Sequence, residues 1–72
     1  MGEEEKTILA KNIRNTRLNL GLTQEQFAGK FSSPLSKGMV SRWERAKTSP
    51  NRKRLKEIAD FAEIKVEDLL KK

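Results

Sequence analysis

Apolar residues recur along this chain at helical spacing, and no stretch alternates as a strand would. Leu9, Ile13, Thr16, Arg17 and Leu20 share one face, with Ile8 on its flank, and predict a first helix over about residues 5–20. Glu3, Glu4 and Glu5 suit the positive end of its dipole, and Gly21 is a natural left-handed stop. Arg17 stands on the apolar stripe, either packing its stem with the head in water or meeting a specific carboxylate.

Thr23-Gln24-Glu25-Gln26 reads as a capping box, in which Thr23 caps the helix and Gln26 reaches back to its amide. The second helix then runs to about residue 30, with Phe27, Ala28 and Phe31 inward and Leu22 stapled onto Phe27. Ser32-Ser33-Pro34-Leu35 is a turn, because Pro34 has no amide to donate and pushes Ser33 out of the helical region. Ser36 caps a third helix ending near Ala46. Its faces differ: Met39, Val40 and Trp43 form an apolar stripe, whereas Lys37, Gly38, Ser41, Arg42 and Arg45 form a small, polar and basic face.

A loop at residues 47–50 leads to a fourth helix, capped by Asn51 or by Ser49 with Pro50 behind it. Leu55, Ile58, Ala59, Phe61 and Ala62 are its apolar face. Arg52, Lys53 and Arg54 crowd its first turn, against the helix dipole, and an external anion there would relieve that cost. A short fifth helix is expected from about residue 66 to 71, with Val66, Leu69 and Leu70 inward. Five helices in 72 residues make one all-α domain with a small core.

Composition narrows the function. The absence of Cys and His removes disulfides, thiol nucleophiles, zinc-finger ligands and imidazole bases together. No Gly-rich phosphate loop or paired-carboxylate setting stands in for them, so the chain reads as a non-enzyme with no metal or other cofactor. No apolar run approaches a membrane span, and the acidic start is unlike a signal peptide, so a cytoplasmic protein is expected. Sixteen Lys and Arg against ten acids give a net charge of +6. Eight of the cations fall between Lys37 and Lys56, where Glu44 is the lone acid, and such clustering favours a nucleic-acid partner.

Two short helices joined by a turn, the second of them basic, have the form of a helix-turn-helix at about residues 23–46. The residues Ile13-Arg14-Asn15-Thr16-Arg17, Gly21-Leu22-Thr23-Gln24, Phe27-Ala28, Val40-Ser41-Arg42-Trp43-Glu44, Lys47, Pro50, Leu55, Ile58-Ala59 and Leu69-Leu70 carry a closer match. In order and spacing they resemble the lambda-repressor-like (Cro/repressor, xenobiotic-response-element type) DNA-binding domain, over nearly the whole chain. Ala28 and Val40 are twelve positions apart, two more than is usual in that family. A lengthened turn within residues 29–34 keeps Val40 and Trp43 in the core. Without it Gly38 and Ser41 would take those places. Ala46 and Glu63 stand where the family usually has glycine after its third and fourth helices.

The resemblance implies a sequence-specific double-stranded-DNA-binding regulator, of phage or prokaryotic repressor type, with the third helix in the major groove. Arg42, Lys37, Gly38 and Ser41 would then face base edges, with Arg42 the leading reader because a guanidinium forks onto guanine O6 and N7. Gln24, Ser36, Arg45, Lys47, Arg52 and Lys53 would hold phosphates. Arg17 and Glu44 would pair, and Trp43, Ala28 and Val40 would be structural. Family members usually bind inverted half-sites as homodimers. Phe61, Ile64, Val66 and Leu70 are candidates for a dimer patch or for plain core. A restriction-modification controller or antitoxin of the same fold, or a protein-bridging module without DNA, are the alternatives. The chain could equally be a whole small regulator or the first domain of a longer repressor.

Overall fold

The computed structural model describes residues 2–71. Five helices follow in order, α1 (Glu3–Asn19), α2 (Gln24–Gly29), α3 (Lys37–Glu44), α4 (Arg52–Ala62) and α5 (Val66–Leu69). Helix α1 packs against α3, α4 and α5, while α2 packs on α3 and α4 on α5. The core holds Leu9 and Ile13 of α1, Phe27 and Ala28 of α2, Val40 and Trp43 of α3, Ile58 and Ala59 of α4, and Leu69 of α5. Phe31 is the hub of its aromatic part, meeting Phe27, Trp43 and Phe61 edge-on at centroid distances of 5.3, 5.7 and 5.1 Å. Such edge-to-face contacts add to the burial of each ring. Among the described residues no helix is long and apolar enough to cross a membrane.

The predicted caps form. Thr23 Oγ1 accepts from the Gln26 amide at 3.1 Å, and Gln26 Oε1 accepts from the Thr23 amide at 2.9 Å. Ser36 Oγ accepts from the Met39 amide at 3.3 Å. Of the two candidates before α4 the cap is Asn51, whose Oδ1 accepts from Arg54 N at 2.9 Å, and Pro50 is buried instead. Helix α1 starts two residues earlier than its apolar pattern predicts, since the glutamates already belong to its first turn. Helices α3 and α5 are each shorter than expected. Asn12, which carries no signal in the sequence, donates to the carbonyls of Leu69 and Lys71, both at 2.7 Å, and pins the end of α5 to α1.

Three helix ends share one geometry. After α1 the Gly21 and Leu22 amides bond back to the Leu18 and Arg17 carbonyls, the double closure of a Schellman motif. Ala46 and Lys47 repeat it after α3, bonding to Trp43 and Arg42, and Glu63 and Ile64 repeat it after α4, bonding to Asp60 and Ala59. All three pivots are left-handed, with φ of 71° at Gly21, 58° at Ala46 and 57° at Glu63. The departures from glycine at residues 46 and 63 therefore change the residue and leave the backbone turn in place. A side chain in that region costs roughly 1–2 kcal/mol, and the greater entropy loss of glycine on folding offsets part of it. Ala46→Gly and Glu63→Gly are each expected to stabilise the domain by about 0.5–1 kcal/mol. A rise in the thermal unfolding midpoint would show it, and a fall in both variants would contradict the strain argument.

The longer turn lies where the register requires it. Helix α2 ends at Gly29, and the Leu35 amide returns to the Ala28 carbonyl at 3.1 Å, closing the loop between them. The two additional residues are absorbed inside that closure. Helix α3 thus keeps Val40 and Trp43 buried, while Gly38 is exposed and Ser41 half-buried.

Candidate nucleic-acid interface

The outward side of α3 follows from what its inward side must do. Once Val40 and Trp43 are in the core, a helix of 3.6 residues per turn carries Lys37, Gly38 and Arg42 outward. All three are exposed, with Ser41 half-buried beside them. A Cβ at Gly38 would meet only Ser36 Oγ, at an ordinary 3.8 Å, so the fold does not require glycine there. Glycine inside a helix is about 1 kcal/mol worse than alanine. Packing therefore does not account for glycine at this position.

The phosphate candidates lie around this face. Arg45 and Lys47 follow α3, and Arg52 and Lys53 open α4; all four are exposed. None of them, nor Lys37 or Arg42, enters the three ion pairs formed among the described residues. The Ser36 hydroxyl accepts from the Met39 amide and keeps its own proton to donate. Gln24 is more constrained than its helix position suggests. Its Nε2 donates to Glu44 Oε1 at 3.2 Å, which uses one of two N–H donors and leaves one for a phosphate.

Glu44 is the centre of a network that joins three helices. Arg17 Nε donates to Glu44 Oε2 at 2.7 Å and Nη2 to Oε1 at 3.0 Å, a two-pronged pairing of α1 with α3. Arg17 Nη1 also donates to the Leu22 carbonyl at 2.9 Å. The two side chains are 12% and 6% exposed, so the pair is largely desolvated. The hydrogen bond to Glu44 raises the Arg17 pKa above its usual value, with desolvation opposing it and the Glu44 charge assisting. The choice left open for Arg17 is thereby decided in favour of a specific carboxylate.

Other cations and apolar residues find different uses. Arg54 does not join its neighbours Arg52 and Lys53 on the open surface: its Nη1 donates to the Ser33 carbonyl at 2.7 Å. Glu57, one turn later, accepts from the Ser32 amide at 2.8 Å. The sequence holds a hint of the Arg54–Glu57 pair in its i,i+3 spacing, but none of the link to Ser32. Phe61, Val66 and Leu70 pack against the core, which leaves Ile64, 40% exposed, as the member of the suggested dimer patch that faces water.

The hollow along α1 between Glu4 and Asn15 shares no residue with the basic face. Among the described residues no cluster of acids could hold a metal ion. A helix face with exposed cations outside the ion pairs formed among the described residues suits an extended anionic partner. A helix-turn-helix family profile matches residues 13–69. Searches of curated proteins and of solved structures return no match.

Proposed function

Because this chain belongs to the Cro/C1-type helix-turn-helix family of DNA-binding regulators, we propose that it is a sequence-specific transcriptional repressor, prokaryotic or phage in type, that reads the major groove with α3. The observation that carries this reading is the outward face of α3, with Lys37, Gly38 and Arg42 exposed and free of ion pairs. Arg42 forks onto a guanine edge, Lys37 reaches a second base or a phosphate, and Gly38 and Ser41 let the helix approach closely. Ser36 and Gln24 on one side, and Arg45, Lys47, Arg52 and Lys53 on the other, hold phosphates and set the position of α3.

One domain of this size offers a small interface, so two copies on inverted half-sites of double-stranded DNA account best for specific binding. Ile64 is the apolar residue available for the contact between copies. A regulator acting on DNA in this way works in the cytoplasm or nucleoid, or in a host cytoplasm if encoded by a phage.

Selection of bound duplexes from a random pool tests the reading. The wild-type chain is expected to enrich an inverted repeat. Arg42→Ala is expected to lose the preference at one base pair of each half-site and about 1–3 kcal/mol of affinity. Lys53→Ala serves as the contrast, weakening every duplex alike and lowering the slope of log K against log salt by about one. An unchanged motif and affinity in Arg42→Ala would overturn the assignment of α3.

A further inference from the structure

The lengthened turn between α2 and α3 is held by a helix outside the helix-turn-helix. Ser32 and Ser33, at its tip, are both exposed, yet one backbone group of each is engaged by α4. The Ser32 amide donates to Glu57 Oε1 at 2.8 Å, and the Ser33 carbonyl accepts from Arg54 Nη1 at 2.7 Å. The two side chains also face each other, with Arg54 Nη1 3.8 Å from Glu57 Oε2. That oxygen is buried and has no hydrogen bond, so the guanidinium is its charged company. The Arg54 guanidinium also lies over the Phe31 ring, 5.6 Å from its centre, and Phe31 begins the turn. Three attachments thus join one side of α4 to three consecutive residues, and the Arg54–Glu57 pair braces them from within the helix.

The axis of α3 is set by its two ends. At the C-terminal end Glu44 is tied to α1 through Arg17. The N-terminal end is reached through the turn, whose one backbone closure is Leu35 N on the Ala28 carbonyl. Leu35 and Met39, just inside that end, are half-buried and line one hollow together with Arg54. A turn two residues longer than usual has more freedom to tilt the helix it delivers, and these bonds from α4 remove that freedom. We propose that Arg54 and Glu57 are positioning residues for α3, fixing the angle at which Lys37 and Gly38 meet the groove. The proposal rests on the DNA-reading role of α3 and adds to it the residues that aim the helix. The Glu57 charge is itself well held. The proximity of the Ser32 side chain and then its amide keeps the carboxyl below its ordinary pKa, against the opposing cost of burial and with the Arg54 and Lys53 charges assisting.

The test compares affinity for the duplex most enriched by the wild-type chain with affinity for a scrambled duplex of equal length and composition. Glu57→Ala is expected to weaken the enriched duplex roughly fivefold or more, on the scale of one base contact. The scrambled duplex is expected to bind as before or more tightly, because the variant has gained positive charge. Glu57→Gln, which keeps an oxygen for the Ser32 amide, is expected to recover part of the ratio. Should Glu57→Ala not fold, Arg54→Leu carries the same comparison, since it frees Ser33 and keeps an apolar stem over Phe31. An unchanged ratio, or an equal loss on both duplexes, would overturn the proposal. Amide NMR of the free protein separates this result from the DNA reading. Release of the turn is expected to move the Lys37, Gly38 and Met39 resonances, and shifts confined to residues around positions 32 and 57 would refute the positioning role. If the wild-type chain enriches no duplex, the DNA reading fails and the NMR arm alone decides the positioning of α3.

Discussion

Glu44→Ala is expected to remove about 3–5 kcal/mol of folding stability, because it strands a desolvated guanidinium. Arg17 is 12% exposed and would keep only the Leu22 carbonyl as a partner. Gln24 would lose its bond to Glu44 in the same step. A chain of 72 residues has roughly 4–11 kcal/mol in total, so the loss takes a large share of it. The unfolding midpoint followed by circular dichroism should fall by roughly 12–40 °C. The pair itself is a poor source of net stability, since both ions had to leave water. Replacing both partners, as in Arg17→Met with Glu44→Leu, should therefore recover most of what the single substitution removes. If Glu44→Ala cost less than about 1 kcal/mol, the pair would be behaving as a screened surface bridge.

Trp43→Ala should cost a similar amount by a different route, about 3–5 kcal/mol through lost burial and the cavity left behind. The indole is 3% exposed and meets the Phe31 edge at a centroid distance of 5.7 Å. Its loss therefore also unsettles the ring that Phe27 and Phe61 pack against. Urea unfolding read by circular dichroism is the suitable measure, because this chain has no second tryptophan to report fluorescence. The midpoint should fall with little change in the slope of the transition. Trp43→Phe separates structure from reading. It should fold, lose less stability, and select the wild-type DNA motif. A folded Trp43→Phe that selects a different motif would place residue 43 on the reading face and contradict its burial.

Much of the candidate interface was legible because one constraint served two purposes. The positions that must be apolar to close the core, Val40 and Trp43, define by helical phase the positions that must be open, Lys37, Gly38 and Arg42. The same phase shows where the additional turn residues belong, since any other placement buries Gly38 and Ser41. The ends of helices were less legible. Alanine favours continuing a helix, yet Ala46 turns left-handed. The chain there must change direction to bring Pro50 into the interior, and tertiary demand outweighs the roughly 1–2 kcal/mol that a side chain costs in the left-handed region.

What the sequence determined by itself is local in character: helical periodicity, the Thr23, Ser36 and Asn51 caps, the left-handed Gly21 and the clustering of charge. Each depends on residues within one or two turns of one another, and short-range sterics and hydrogen bonding are written in neighbouring residues. Which cations remain on the surface was decided only by the tertiary structure. Arg52, Lys53 and Arg54 are consecutive and chemically alike, but Arg54 is drawn inward because Ser33 and Glu57 happen to lie within its reach. Ser32 and Glu57 are 25 residues apart and meet only after the helices have packed, as do Arg17 and Glu44, which are 27 apart. Chain direction and helix packing, and not composition, make that encounter. The turn that delivers α3 is therefore held by a helix that the local pattern assigns to the core.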